Sequence, residues 1–172
     1  MAENTPPTTK NQTHLLEIER LLKGAHGQSL VATEIKNDEL FADVAPVAVP
    51  DVMRWLRDDR SCRFDYIRCL CGVDYSDHVT VVYHLFATKT KSKITVRVEV
   101  SKESPAIASV TDVWAGADWL ERETAEMFGL VFDGHPDPRR LLLTEDNDAM
   151  PLRKDFKLDY GNEQSKVKRD NA

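Results

Sequence analysis

The stretch "HVTVVYHLFATKTKSKITVRVEV", residues 78–100, decides the fold. Its second half alternates: Ile94, Val96, Val98 and Val100 against Thr95, Arg97 and Glu99. That is the two-residue period of a strand with one buried face. In its first half Val79, Val81, Tyr83 and Leu85 alternate with Thr80, Val82, His84 and Phe86, apolar enough on both sides to predict an interior strand with both faces covered. The polar "TKTKSK" between them is a tight connection, so the two strands pair antiparallel.

Working outward, "RFDYIRCLCGVDY" reads as a third strand, joined through the turn "DYSD". With regular alternation, Ile67, Cys69, Cys71 and Val73 share a core-facing side and Tyr66, Arg68 and Leu70 the other. "SLVATEI" reads as a short strand, and "VAPVAVPDVMRWLRDDRSC" as a strand to Val49 and then a helix opened by Pro50 and Asp51, with Val52, Trp55 and Leu56 as its stripe. "HLLEIERLLKGAHG" places Leu15, Ile18, Leu21 and Leu22 at helical spacing, ended by Gly24 or Gly27. A helix from Asp118 is expected to use Asp118 as N-cap, Glu121 in the capping-box position and Gly129 at C′. Ala117, Leu120, Thr124, Met127 and Phe128 form its apolar face; Asp118, Arg122 and Glu126 fall opposite at an i, i+4 spacing that permits a ladder. Trp119 projects with the charged side. "GLVF" then adds a short strand, "DGHP" a turn, and Asp137–Pro138 one helical turn through Arg139 and Arg140.

Strands and helices segregate along the chain, which predicts an α+β fold: a single two-layer domain, a largely antiparallel or mixed sheet with helices packed on it, and an extended C-terminal tail. The expected boundaries are a flexible leader over 1–12, the α+β domain over 13–142, and a partner-binding tail over 143–172.

The 172 residues suit one domain, and 41% hydrophobic with 30% charged residues is ordinary globular composition. A net charge of -6 argues against nucleic-acid binding, and no apolar run approaches the ~20 residues of a membrane span. The polar start "MAENTPPTTKNQTH" lacks the apolar segment of a secretory signal, so a reducing compartment and free thiols at Cys62, Cys69 and Cys71 are expected.

No metal or nucleotide motif stands out. Cys69-x-Cys71 with Cys62 fits no zinc spacing, and the five histidines are scattered. His135 is expected to be a loop hydrogen-bonder. Glu121, Glu123 and Glu126 admit a general acid–base reading beside that of a solvated helix face. Arg139–Arg140 and Arg153–Lys154 admit either an anion or interface carboxylates.

Taken together, "ERETAEMFGLVFDGHPDPRRLLLTEDNDAMPLRKDF", residues 121–156, closely resembles the signature of the C subunit of bacterial NADH:quinone oxidoreductase (respiratory complex I), the family of the mitochondrial iron–sulfur-protein subunit 3. The E-R-E element is Glu121 to Glu123, M-F-G is Met127 to Gly129, G-H-P-D is Gly134 to Asp137, R-R is Arg139–Arg140, E-D is Glu145–Asp146 and P-L-R-K-D is Pro151 to Asp155. Glu126, Thr144, Asn147, Ala149 and Phe156 stand where the family commonly has Asp, Pro, Trp, Gly and Tyr. The likeness runs from about Val49 to Asp159.

The resemblance implies a peripheral-arm subunit of a proton-translocating enzyme that passes electrons from NADH through FMN and Fe-S clusters to quinone. It implies a scaffold with no cofactor or metal of its own, docked to the D subunit on the cytoplasmic side of the bacterial inner membrane. Trp119, Glu121, Arg122, Glu123, His135, Asp137, Arg139, Arg140, Arg153, Lys154 and Asp155 are then expected at a subunit interface. The other readings are an equivalent subunit of a related membrane-bound hydrogenase or plastid-type complex, and a stand-alone enzyme using His135, Glu121 and Glu123.

Overall fold

The computed structural model describes residues 10–144 and 148–157. A five-stranded sheet runs in the order β1-β2-β5-β4-β3, built from β1 (Leu30–Lys36), β2 (Glu39–Val44), β3 (Tyr66–Asp74), β4 (His78–Phe86) and β5 (Lys93–Ser101). All neighbours are antiparallel except β2 and β5, which run parallel, so the sheet is mixed. Three helices, α1 (Lys10–His26), α2 (Val49–Asp58) and α3 (Ala117–Phe128), contribute to one core with it. The α+β two-layer expectation holds.

The expected strand reaching Val49 ends instead at Val44, and Pro46–Ala48 is a turn of 3-10 helix leading into α2. The strand pairs backwards onto β1 through Asn37 and Asp38, whose φ angles of 52° and 57° give the double left-handed turn that matches strand twist. Leu40, Ala42 and Val44 are its buried side. At the N-terminus α1 already includes Lys10 to Gln12, inside the expected leader; residues 1–9 lie outside the described residues.

Cross-strand rows define the core. Leu40, Ile94, Leu85 and Ile67 form one, and Ala42, Val96, Tyr83 and Leu70 the next. Tyr83, Leu85, Ile94 and Val96 are at most 1% exposed. Against these rows pack Leu15, Ile18 and Leu22 of α1 and Val52, Met53 and Leu56 of α2. Each large aliphatic side chain buried this way contributes about 1.5–3 kcal/mol.

The register of β3 shifts between Ile67 and Cys69. One extra residue flips the alternation beyond it. Leu70 therefore joins Ile67 on the core side, while Cys69 and Cys71 sit half-buried on the opposite face beside His84 and Val82. The expectation that both cysteines pack in the core is corrected by this bulge. So is the expectation that β4 is covered on both faces, since Val82, His84 and Phe86 remain only partly buried on the side away from the core.

Beyond β5, the short strands β6 (Ala106–Ala108) and β7 (Val131–Asp133) pair in parallel on either side of α3 in the chain. Gly72 on β3 admits α3 closely: a Cβ there would lie 2.6 Å from the Phe128 ring. Gly129 ends the helix in the left-handed conformation at φ 71°, donating its N–H to the Ala125 carbonyl at 2.8 Å.

Candidate functional site

The signature residues converge on α3 and the loop that follows β7. The helix starts after Gly116 with no side-chain cap, so Asp118 is a first-turn residue rather than the N-cap, and Glu121 does not reach back to it. Glu121 is 0% exposed. Its carboxylate accepts hydrogen bonds from the Val110 backbone N–H and the Ser109 hydroxyl, both at 2.7 Å. These two donors tie α3 to the segment after β6. Burial raises the carboxyl above its ordinary range, against the lowering effect of both hydrogen bonds.

His135 is the neighbour of that carboxylate. Its side chain is 3% exposed, with Nε2 3.9 Å from Glu121 Oε2. Nδ1 accepts from the Asp137 backbone N–H at 3.0 Å, which leaves the ring hydrogen on Nε2, 3.2 Å from the Asp118 carbonyl. The loop hydrogen-bonding role expected of His135 is realised through these main-chain partners.

The expected ladder of Asp118, Arg122 and Glu126 does not form. Arg122 and Glu126 reach instead for the returning loop. Arg122 donates from Nε to the Arg139 carbonyl at 2.7 Å and from Nη2 to the Arg140 carbonyl at 2.9 Å. One turn on, Glu126 accepts the backbone N–H groups of Leu141, Leu142 and Leu143 at 3.1, 2.9 and 3.2 Å. A cation holds two carbonyls and an anion three amides, so residues 139–143 need no regular structure to satisfy their backbone. The expected helical turn at Arg139 and Arg140 is absent for that reason. Arg122→Ala or Glu126→Ala should accordingly raise amide exchange of residues 141–143 at least tenfold while the sheet stays protected. Unchanged exchange in both variants would show that the clamp does not hold the loop.

Asp137 pairs with Arg139 through two contacts of 2.7 Å, and that guanidinium holds its carboxyl far below the ordinary range. Arg140 reaches Asp148 at 2.7 Å and the Thr144 carbonyl at 3.2 Å. Between α3, β7 and the loop lies a cavity of about 190 Å³ bordered by Glu121, Arg122, Leu130, Phe132, His135 and Pro138.

The P-L-R-K-D segment folds back on the body. Leu152 donates its N–H to the Met127 carbonyl at 3.2 Å, and Lys154 its N–H to Asp74 Oδ2 at 2.8 Å. Asp74, 5% exposed at the end of β3, also takes Lys102 Nζ at 2.7 Å on its other oxygen. Met150 rests on Gly129, where a Cβ would collide with its sulfur. The start of the expected tail thus makes tertiary contacts; residues 145–147 and 158–172 lie outside the described residues.

Among the expected interface residues, Glu121, Arg122 and His135 are turned inward. Trp119 is 66% exposed, and Glu123, Arg139, Lys154 and Asp155 also face outward. Leu142 and Leu152, which are not among the expected interface residues, add exposed apolar side chains beside α3, at 62% and 55%. Their adjacency depends on the clamp and the fold-back, so no local pattern announces it. Among the described residues no group of three or more His, Cys, Asp or Glu side chains is placed to hold a metal ion.

The sequence pattern of the family described as respiratory-chain NADH dehydrogenase, 30 Kd subunit, matches residues 42–162. The chain belongs to that family. The match spans the sheet from β2 onward, α3, the clamped loop and the fold-back. The C subunit of NADH-quinone oxidoreductase from Roseiflexus sp. (strain RS-1) is 42% identical over 144 residues, covering 82% of each chain. That of Chloroherpeton thalassium is 53% identical over 106 residues, 60% of this chain and 44% of the relative. The present chain therefore matches less than half the length of that relative.

Solved structures agree on the architecture. The trypsin-resistant fragment of Nqo5, residues 1–134, aligns with a TM-score of 0.60 at 28% identity, covering 70% of this chain and 98% of that one. A chain of the membrane-bound sulfane sulfur reductase, an archaeal respiratory membrane complex, aligns at 0.73 over 90% and 89% with 19% identity, a likeness of fold. Among the described residues no helix is long and apolar enough to cross a membrane.

Proposed function

We propose that this chain is a cofactor-free, non-catalytic subunit in the peripheral arm of a proton-translocating NADH:quinone oxidoreductase. In this reading it docks to the D subunit on the cytoplasmic side of the membrane. There it supports, by position rather than chemistry, electron flow from NADH through FMN and Fe-S clusters to quinone. One observation carries the reading. Of the side chains that a stand-alone enzyme would use, Glu121 and His135 are bonded to this chain's own backbone and to Ser109, and Glu123 faces outward away from them; Arg122 and Glu126 beside them are likewise taken up by the backbone. What α3 turns outward is Trp119 and Glu123, flanked by Arg139, Leu142 and Leu152. An exposed aromatic amid charge and aliphatic side chains is the composition of an interface anchor with its rim.

The test is co-expression of the full chain with the D subunit of its host complex. The two should co-purify at one-to-one stoichiometry, and the chain purified alone should show no flavin or iron–sulfur absorbance. A stoichiometric visible chromophore on the isolated chain, or elution of the two subunits apart, overturns the proposal.

A further inference from the structure

The face of the sheet that no helix covers among the described residues lies away from the α3 surface, and it carries the two cysteines that the β3 bulge turned outward. Beyond the bulge, Cys69 is in register with His84 and Cys71 with Val82, so both thiols share one face two residues apart. Both are half-buried free thiols. We propose that Cys69 and Cys71 together form a two-thiol site for a single soft, thiophilic cation of the Cu(I) class.

Spacing selects the ligand. Same-face neighbours on a strand have Cα atoms roughly 6.6–6.8 Å apart. That is the outer limit for a disulfide, whose Cα atoms usually lie about 5.5–6 Å apart, so direct oxidation of the pair is disfavoured. A two-coordinate ion has a different requirement: with metal–thiolate bonds of about the zinc–sulfur length, ~2.3 Å, a linear site holds the sulfurs at most roughly 4.6 Å apart. Rotation about χ1 brings two side chains at this spacing to such a separation without moving the backbone.

The identity of the donors excludes a harder ion. Thiolates prefer Cu(I), and a site with two sulfurs does not complete a tetrahedral zinc set. The imidazole in register with Cys69, that of His84, has its Nδ1 hydrogen-bonded to the Thr95 hydroxyl at 2.8 Å. Binding therefore replaces two S–H protons with one cation: Cu(I) plus two thiols gives a bis-thiolate carrying one negative charge, and two protons leave to solvent. No electron is transferred. Cys62, 0% exposed and pushed up to about 12 by burial, takes no part.

The experiment is anaerobic titration of the full chain with Cu(I) against a colorimetric Cu(I) chelator. One equivalent should bind, with two protons released per ion and a thiolate-to-copper band in the ultraviolet. Cys69→Ser and Cys71→Ser should each weaken binding at least a hundredfold, while Cys62→Ser leaves it unchanged; thermal melts confirm that each variant folds. Retained one-to-one binding in the Cys69→Ser/Cys71→Ser double variant, or one ion per thiol in the parent chain, overturns the site. Neither outcome bears on docking through α3, which the co-purification above decides separately.

Discussion

Replacing Glu121 by alanine should lower stability by about 3–5 kcal/mol, the sum of a cavity at a fully buried position and of donors left without an acceptor. The Val110 N–H and the Ser109 hydroxyl both lose their partner, and His135 loses the wall against which it is packed. For a chain of this size that is a fall of roughly 10 °C in Tm. Glu121→Gln should behave differently. The amide oxygen can keep the Val110 N–H, and the amide nitrogen can donate to Ser109, whose own hydrogen then turns to Thr111 Oγ1, 2.8 Å away.

The pH dependence separates the two forms further. Burial raises the folded carboxyl above its ordinary value of 4.5, so just above that pH the native chain holds a proton that the unfolded chain has released. Stability from this group is complete below the ordinary value and is lost as pH rises through the folded value. The glutamine variant lacks this loss. Melting both proteins from pH 4.5 to 8 should show the difference shifting in favour of Glu121→Gln as pH rises. A difference that stays constant, or that shifts towards the parent, contradicts a buried carboxyl of raised affinity.

Trp119→Ala should reduce the amount of assembled complex by about thirtyfold or more under limiting subunit, the size of an interface hot spot of at least 2 kcal/mol. The isolated chain should melt within about 1 °C of the parent, because Trp119 is 66% exposed and its loss removes little from the core. Arg139→Glu should act in the same direction. Its side chain is 81% exposed and, among the described residues, pairs with Asp137, so charge reversal changes the surface without touching the Arg122 clamp, which grips the backbone carbonyl instead. The decisive measurement is quinone reductase activity normalised to correctly assembled particles. Assembly at the parent level with turnover per particle falling by orders of magnitude would place these residues in the reaction and sink the scaffold reading. Arg140→Glu is a poorer probe, since Arg140 also holds Asp148 and Thr144.

How much of this was legible in the sequence depends on the range of the interactions involved. The alternation of β4 and β5, the stripes of α1 and α2, the left-handed end of α3 at Gly129 and the family signature are local patterns, and sequence determined them. Asn37–Asp38 was a local signal too, a two-residue turn before Leu40, Ala42 and Val44, but the apolar run at 44–49 masked it. The rest was decided by tertiary structure. A single extra residue in β3 sent Cys69 and Cys71 to the face away from the core, because strand periodicity is two and any one-residue shift inverts it. Glu121 and Glu123 are alike in composition and differ in sequence by two places, yet one is buried and the other exposed. The difference lies in the Val110 N–H and the Ser109 hydroxyl, which approach from the segment after β6. Arg122 and Glu126 stand at the spacing of a helix ladder and bind a loop instead. A loop whose backbone has no partner of its own gains more from two charged side chains than those side chains gain from each other across solvent.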